Sequence, residues 1–292
     1  MATQGKISPN ASLTSNLSTY AAIALGVCIV GAFARTLVGI GGSWFDEPSN
    51  MEHGLFVPII VAYMVWLKRE QLRLLPKRPS PWGIAIVAAA GALSVLSAAA
   101  QWTWVSRMAF LASFVGCIVA LYGFRIVREL VYPLCTLMLM IALPTFVIER
   151  ITIELQLLAS RLGEISLEFF GFSVLREGNV LEMVGEKLAV AEACSGIRSL
   201  MALIFLAAVY NYFFVPRNAV RLVIFGAVVP VAILCNAGRI LATGVVGQYN
   251  RELAHGMLHA TFGYLSLTLG AALLILLHRL LIRIRIGGLH GV

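Results

Sequence analysis

From residue 19 onward the chain is a succession of long apolar runs separated by short charged clusters. A bilayer interior holds no water to satisfy backbone N–H and C=O groups, so a run of about 20 apolar residues has one good solution there, a helix that pairs them internally. Eight such runs are readable, at 19–40, 54–67, 82–100, 104–121, 127–147, 196–214, 219–243 and 256–282. The second, "GLFVPIIVAYMVWL", is only 14 residues long before charges begin and needs extension or tilt to cross. The expected fold class is an all-α polytopic membrane protein with about eight transmembrane helices. A composition of 60% hydrophobic and 12% charged residues fits it.

The connections alternate in charge. "KREQLRLLPKRP" (68–79), "FRIVRE" (124–129), "VPRNAVR" (215–221) and "HRLLIRIRI" (278–286) are basic, while "WFDEPSNMEH" (44–53), residues 148–195 and "GQYNRELAH" (247–255) carry the acids. With the basic set facing the cytoplasm, only Glu70 and Glu129 of the 14 carboxylates are inside, and 13 of the 22 Lys and Arg are inside. That places both termini in the cytoplasm, and it makes the net charge of +8 an orientation signal rather than a nucleic-acid footprint. The first 18 residues are polar and contain only Lys6 as a base, so no cleavable signal peptide is expected. No repeat, low-complexity tract or linker divides the sequence, and 1–292 reads as a single membrane domain with a polar N-terminus (1–18) and a basic tail (283–292).

The longest non-spanning segment is 148–195. "IERITIELQLLASRLGEISLEFFGF" spaces its apolar residues for an amphipathic helix at the outer interface, although the same pattern would let it dip into the bundle. After Gly171 the pattern nearly alternates and is broken by "EGN" and "GEK", so two or three short strands are expected as a small extracytoplasmic β-hairpin element. This element leads the chain to Cys194. The other four cysteines, Cys28, Cys117, Cys135 and Cys235, fall inside expected spans and read as small packing residues, with no disulfide or metal spacing among the five.

Ionisable groups at membrane depth are costly and require a partner or a wet cavity. Three places carry them: Cys194 and Arg198 in "AEACSGIRSL", Asn236 and Arg239 in "LCNAGRIL", and His255 and His259 in "AHGMLHATFGY". Because spans alternate in direction, all three are expected at one outer level. A thiol beside a guanidinium and an imidazole, at a helix N-terminus whose dipole favours anions, is the setting of a nucleophilic cysteine. The chemistry implied is acyl transfer: a thiolate attacks a peptide carbonyl, an arginine stabilises the oxyanion, and a histidine protonates the leaving amine. No metal or cofactor is required. Each residue alone also has a plain structural reading, as a small helix-start residue, a snorkelling arginine or a histidine bonded to a carbonyl. Only their common depth joins them.

In motif order and spacing, "AEACSGIRSL", "NAGRI" and "HATFGY", with "EHGLFVPIIVAYMVW" upstream, resemble the exosortase family and its archaeosortase relatives from about residue 44 to 275. The resemblance implies a multi-pass cysteine transpeptidase or protease of the bacterial inner membrane. Its partners would be membrane-anchored substrates whose C-terminal sorting signal has a Pro-Glu-Pro-type (PEP-CTERM) motif, a hydrophobic helix and a basic tail, in bacteria that make exopolysaccharide. Carried over by motif, the family's Cys falls on Cys194, its Arg on Arg239 and its His on His259, with Tyr264 where Trp is commoner. His255 lacks the glycine four residues on and stands beside the site. Arg198, Asn236, His255 and His53 are the candidate substrate-binding residues, and Arg150, Arg176 and Lys187 are further cations for a substrate glutamate. The competing reading is a non-enzymatic transporter or scaffold for polysaccharide export, whose usual repeat symmetry the sequence lacks.

Overall fold

The computed structural model describes residues 20, 24, 26–45, 51–183, 186–189, 196–249 and 257–287, with the side chains of 186–189, 257–260 and 284–287 excepted. The chain divides into two compact units, residues 1–46 with 54–142 and residues 47–53 with 143–292.

The first unit begins with α1 (Gly26–Ala32) and α2 (Ala34–Ser43), apolar helices that meet at a 69° bend. A 3-10 turn at Glu52–Leu55 leads into α3 (Phe56–Leu67), followed by the short basic α4 (Arg69–Leu74). The spanning hairpin of the unit is α5 (Pro81–Ala99) and α6 (Thr103–Tyr122). Proline suits the first turn of α5 because the N–H it lacks would have had no intrahelical acceptor. Small residues set the closeness of this pair. A Cβ on Gly83 would strike the Ala120 backbone, and one on Gly116 would come 2.9 Å from Ile86 and Val87. Where lipid removes most of the hydrophobic drive between helices, such close approach supplies the attraction through van der Waals contact.

The expected fifth span, 127–147, is broken. Residues 124–140 form α7 (Phe124–Glu129), α8 (Val131–Leu137) and a 3-10 turn (Met138–Met140), and the helix is interrupted before α9 (Thr145–Phe169) begins. The sequence reason is "ALP": Pro144 disfavours helical backbone at Leu143 and then caps the next helix. Among the described residues five helices are long and apolar enough to cross a membrane, or up to seven if each bent pair is one span. The eight-span count is therefore not reproduced. The 16-residue helix Glu52–Leu67 is apolar but short.

In the second unit α9 is the expected amphipathic helix. Its buried face, Ala159, Ser160, Gly163 and Leu167, packs inward, with Gly163 opening space for Ile240. Three strands follow as an antiparallel meander in chain order, β1 (Val174–Glu177), β2 (Val180–Met183) and β3 (Glu186–Ala189). The β1–β2 turn places Gly178 at φ +64 as its first central residue, the conformation a type II′ hairpin turn requires. Two bonds fasten this hairpin to α9: Arg176 Nε donates to Glu164 at 2.7 Å, and Ser160 Oγ donates to the Gly178 carbonyl at 3.1 Å. Leu181 and Met183 complete a core with Leu167 and Ile240.

The bundle proper is α10 (Ile197–Phe214), α11 (Asn218–Tyr249) and α12 (Met257–Gly287). Ile197, Leu200 and Leu203 of α10 pack on Ile224, Val228 and Ala232 of α11 and on Leu274 of α12. Deeper along the same bundle Tyr210 and His278 share a 2.7 Å hydrogen bond between α10 and α12. α11 has 32 residues, longer than the sequence reading, and at 1.5 Å per residue it extends about 48 Å, beyond a ~30 Å hydrocarbon core. Asn236 and Arg239 thus lie inside a continuous helix, not at its end.

Candidate active site

Gly196 fixes the entrance to α10. It is the residue before the helix, at φ +67, a left-handed backbone that glycine adopts without penalty. Its Leu200 neighbour closes the first turn by donating N–H to the Gly196 carbonyl at 2.9 Å. The space that a Cβ would take is already filled, because the Asn236 Nδ2 lies 3.1 Å from that position. Two physical demands therefore converge on one glycine, and they bring Gly196 against the Asn236 of "NAGR".

Asn236 is 5% exposed and belongs to the buried stripe of α11 that includes Ala232, Ile240, Thr243 and Gly247. One turn along, Arg239 is partly buried, and its Nε is shut off from solvent. Its guanidinium rests against α12 at Gly263, with Cζ and Nη2 3.6 Å from where a Cβ would stand. A larger side chain at 263 would occupy the volume of that guanidinium. The same inward stripe of α12 continues to Gly270, where a Cβ would lie 2.9 Å from Leu203 and 3.6 Å from Cys235 Sγ.

Asn236 and Arg239 thus touch the neighbours of the other two motifs. Asn236 meets Gly196, two residues after Cys194, and Arg239 meets Gly263, four residues after His259. On a helix, residues four apart share a face. His259 is described as backbone of α12 only, and Cys194 and His255 lie outside the described residues.

Compared with protein families, residues 44–276 match transmembrane exosortase. The chain belongs to that family. No curated protein and no solved structure matches it. The matched range of this exosortase contains every candidate site residue, from His53 to His259. Family membership and the apolar helices make it a membrane protein and support a transpeptidase kind of function.

Of the remaining candidates of the exosortase, Arg198 sits on α10 and His53 packs against it. Arg198 Nη1 is 3.2 Å from Glu52 Oε1, with both side chains about half exposed, at 52% and 57%. The His53 ring lies 5.8 Å from the Phe205 ring, and Phe205 is seven residues beyond Arg198 on the same helix face. The segment carrying Glu52 and His53 is therefore clasped to the helix that starts just after Cys194. Sequence reasoning named Arg198 and His53 but not Glu52 or Phe205. The available signal was the carboxylate beside His53 in "MEHG". Gly196 was also missed as a positioning residue, since a glycine beside serine at a helix start reads as an ordinary cap.

Proposed function

We propose that this exosortase is a membrane-embedded cysteine protease or transpeptidase acting on a C-terminal sorting signal of the PEP-CTERM type. In this reading the Cys194 thiolate attacks the scissile carbonyl, forming the S–C bond of a tetrahedral intermediate. Arg239 stabilises the oxyanion with charge-assisted hydrogen bonds, and His259 gives its proton to the departing amine as the C–N bond breaks. The thioester left on Cys194 is then taken by water, or by an amine or hydroxyl acceptor, which restores the thiol. The substrate arrives as a membrane-anchored protein whose own helix docks laterally. The active site faces the extracytoplasmic side of the bacterial inner membrane, with both termini cytoplasmic.

The observation that carries the reading is the pair of contacts made by one turn of α11: Asn236 against Gly196 and Arg239 against Gly263. Covalent geometry keeps the Cα of Cys194 within about 7 Å of that of Gly196. His259 is one turn from Gly263. One turn of α11 thus meets Gly196 through Asn236 and Gly263 through Arg239, which supports a common site for three motifs some 20 to 45 residues apart in sequence.

The test is to replace Cys194 with serine or alanine and follow a co-expressed substrate bearing the sorting signal. Unprocessed substrate should accumulate while the variant is still inserted and recovered at wild-type yield. Normal processing by the variant would sink the reading. Alkylation from outside adds a second readout: Cys194 should react with a small thiol reagent below neutral pH while Cys28, Cys117, Cys135 and Cys235 stay silent. A uniformly inert set would instead favour a transporter or scaffold.

A further inference from the structure

A cavity in the first unit takes no part in the chemistry above. It has a volume of about 830 Å³ and is walled by α2, α3, α6 and α8, with the end of α4 at one extremity. α6 supplies every fourth residue, Phe110, Phe114, Ile118 and Tyr122. Those twelve residues of helix rise about 18 Å, close to half of a ~30 Å hydrocarbon core and so to the depth of one leaflet. The groove is apolar along this length. Its polarity changes only at the Tyr122 end, where Arg73 and Lys77 join the lining.

The charges around that end are unbalanced. Glu70 pairs with both Arg69 and Arg73 at 3.2 Å, so one carboxylate faces two guanidinium groups. Lys77 adds a further cation, held 5.4 Å over the Tyr122 ring. The surplus is positive at one end of an apolar slot, and the side chain of Arg73 is 73% exposed.

We infer that this groove is a binding site for one anionic phospholipid, with acyl chain along the Phe110–Tyr122 stripe and phosphate at Arg73 and Lys77. Volume decides against a peptide helix as occupant. Over the same length of about 18 Å, a helix about 10 Å wide fills roughly 1,400 Å³, well above the space available. Chemistry decides between lipids, because a zwitterionic headgroup gains little from a net cation cluster. In a positive-inside protein this basic end faces the leaflet that carries anionic lipid.

The experiment is native mass spectrometry of the full chain purified in detergent and titrated with phosphatidylglycerol or phosphatidylcholine. One phosphatidylglycerol should be retained in preference to phosphatidylcholine. Each basic residue should account for about fivefold of that preference, from the ~1 kcal/mol per Lys or Arg near an anionic surface. Arg73→Glu with Lys77→Glu alters two exposed side chains and should erase the preference. Ala62→Phe places a ring in the groove from an exposed position on α3 and should remove the retained lipid of either kind. Equal retention of the two lipids, or wild-type retention by Ala62→Phe, would overturn the assignment. So would a wild-type preference in the charge-reversed protein, or a co-purifying peptide helix or second copy of the chain displaced from the groove by Ala62→Phe. Should Ala62→Phe fail to give a monodisperse protein, the charge-reversed variant decides alone.

Discussion

Replacing Gly196 with alanine probes the junction on which the candidate site depends. The alanine must hold φ near +67, a left-handed backbone that costs an L-residue about 1–2 kcal/mol. Its Cβ must also share space with the Asn236 Nδ2 at 3.1 Å, so the amide has to give by a few tenths of an ångström. Asn236 is 5% exposed, and disturbing the bonds of a buried polar group adds about 1–3 kcal/mol. A control separates the two contributions. Gly171 has φ +86 with nothing within 4 Å of its Cβ position, so Gly171→Ala carries backbone strain alone. At roughly 2–4 °C per kcal/mol for a chain of this size, both variants should lose apparent Tm in detergent, Gly196→Ala about twice as much. Only Gly196→Ala should impair substrate processing, by about a hundredfold if the Cys194 segment moves by ~1 Å. Equal losses of Tm with normal processing in both variants would refute the reasoning, because Asn236 would then not be holding the entrance to α10.

The other expectations concern single contacts. Arg239→Lys keeps the charge but loses the planar fork, and processing should fall about 10²–10³-fold with the protein still folded; Gly263→Leu should do the same by displacing the guanidinium, whereas Gly263→Ala, whose Cβ would sit 3.6 Å away, should be tolerated in the same processing assay. Glu52→Gln should change thermal stability by less than about 1 kcal/mol, since its pair with Arg198 is half exposed. Leu181→Ala empties a fully buried position between the sheet and α9 and should cost about 2–5 kcal/mol, read as early protease cleavage of the 174–189 meander.

The sequence shows the bundle well where composition alone decides the outcome. Helices α5, α6, α10, α11 and α12 follow the apolar runs, and the basic and acidic clusters fall between them. It shows the meander too, because alternation and the "EGN" turn are local signals. The fifth run differs from its reading because its hydrophobicity continues through Pro144, so a hydropathy reading cannot see the helix break at that proline. The end of α11 was misread for the opposite reason: "TGVVGQY" turns polar while its backbone stays helical, the helix outlasting the apolar run. At the site, the side chains with chemistry were visible because charge in an apolar run is conspicuous. Gly263 was marked in the sequence by its place four residues after His259, whereas Gly196 became legible as part of the site only through tertiary contact, since it is defined by an atom it lacks and by the neighbour that fills the gap.

That pair of glycines bears on how this exosortase can be damaged. A glycine codon has no single-base change that yields a smaller residue, so every missense event at 196 or 263 adds atoms beside Asn236 or Arg239. Loss-of-function alleles that preserve membrane insertion should therefore include enlargements at these two positions alongside deletions of reactive side chains. A library scored for processing at constant expression would separate the two kinds. Restoring activity to an enlarged variant would require shrinking the neighbour, which at 263 is the candidate catalytic arginine itself and leaves no compensating substitution.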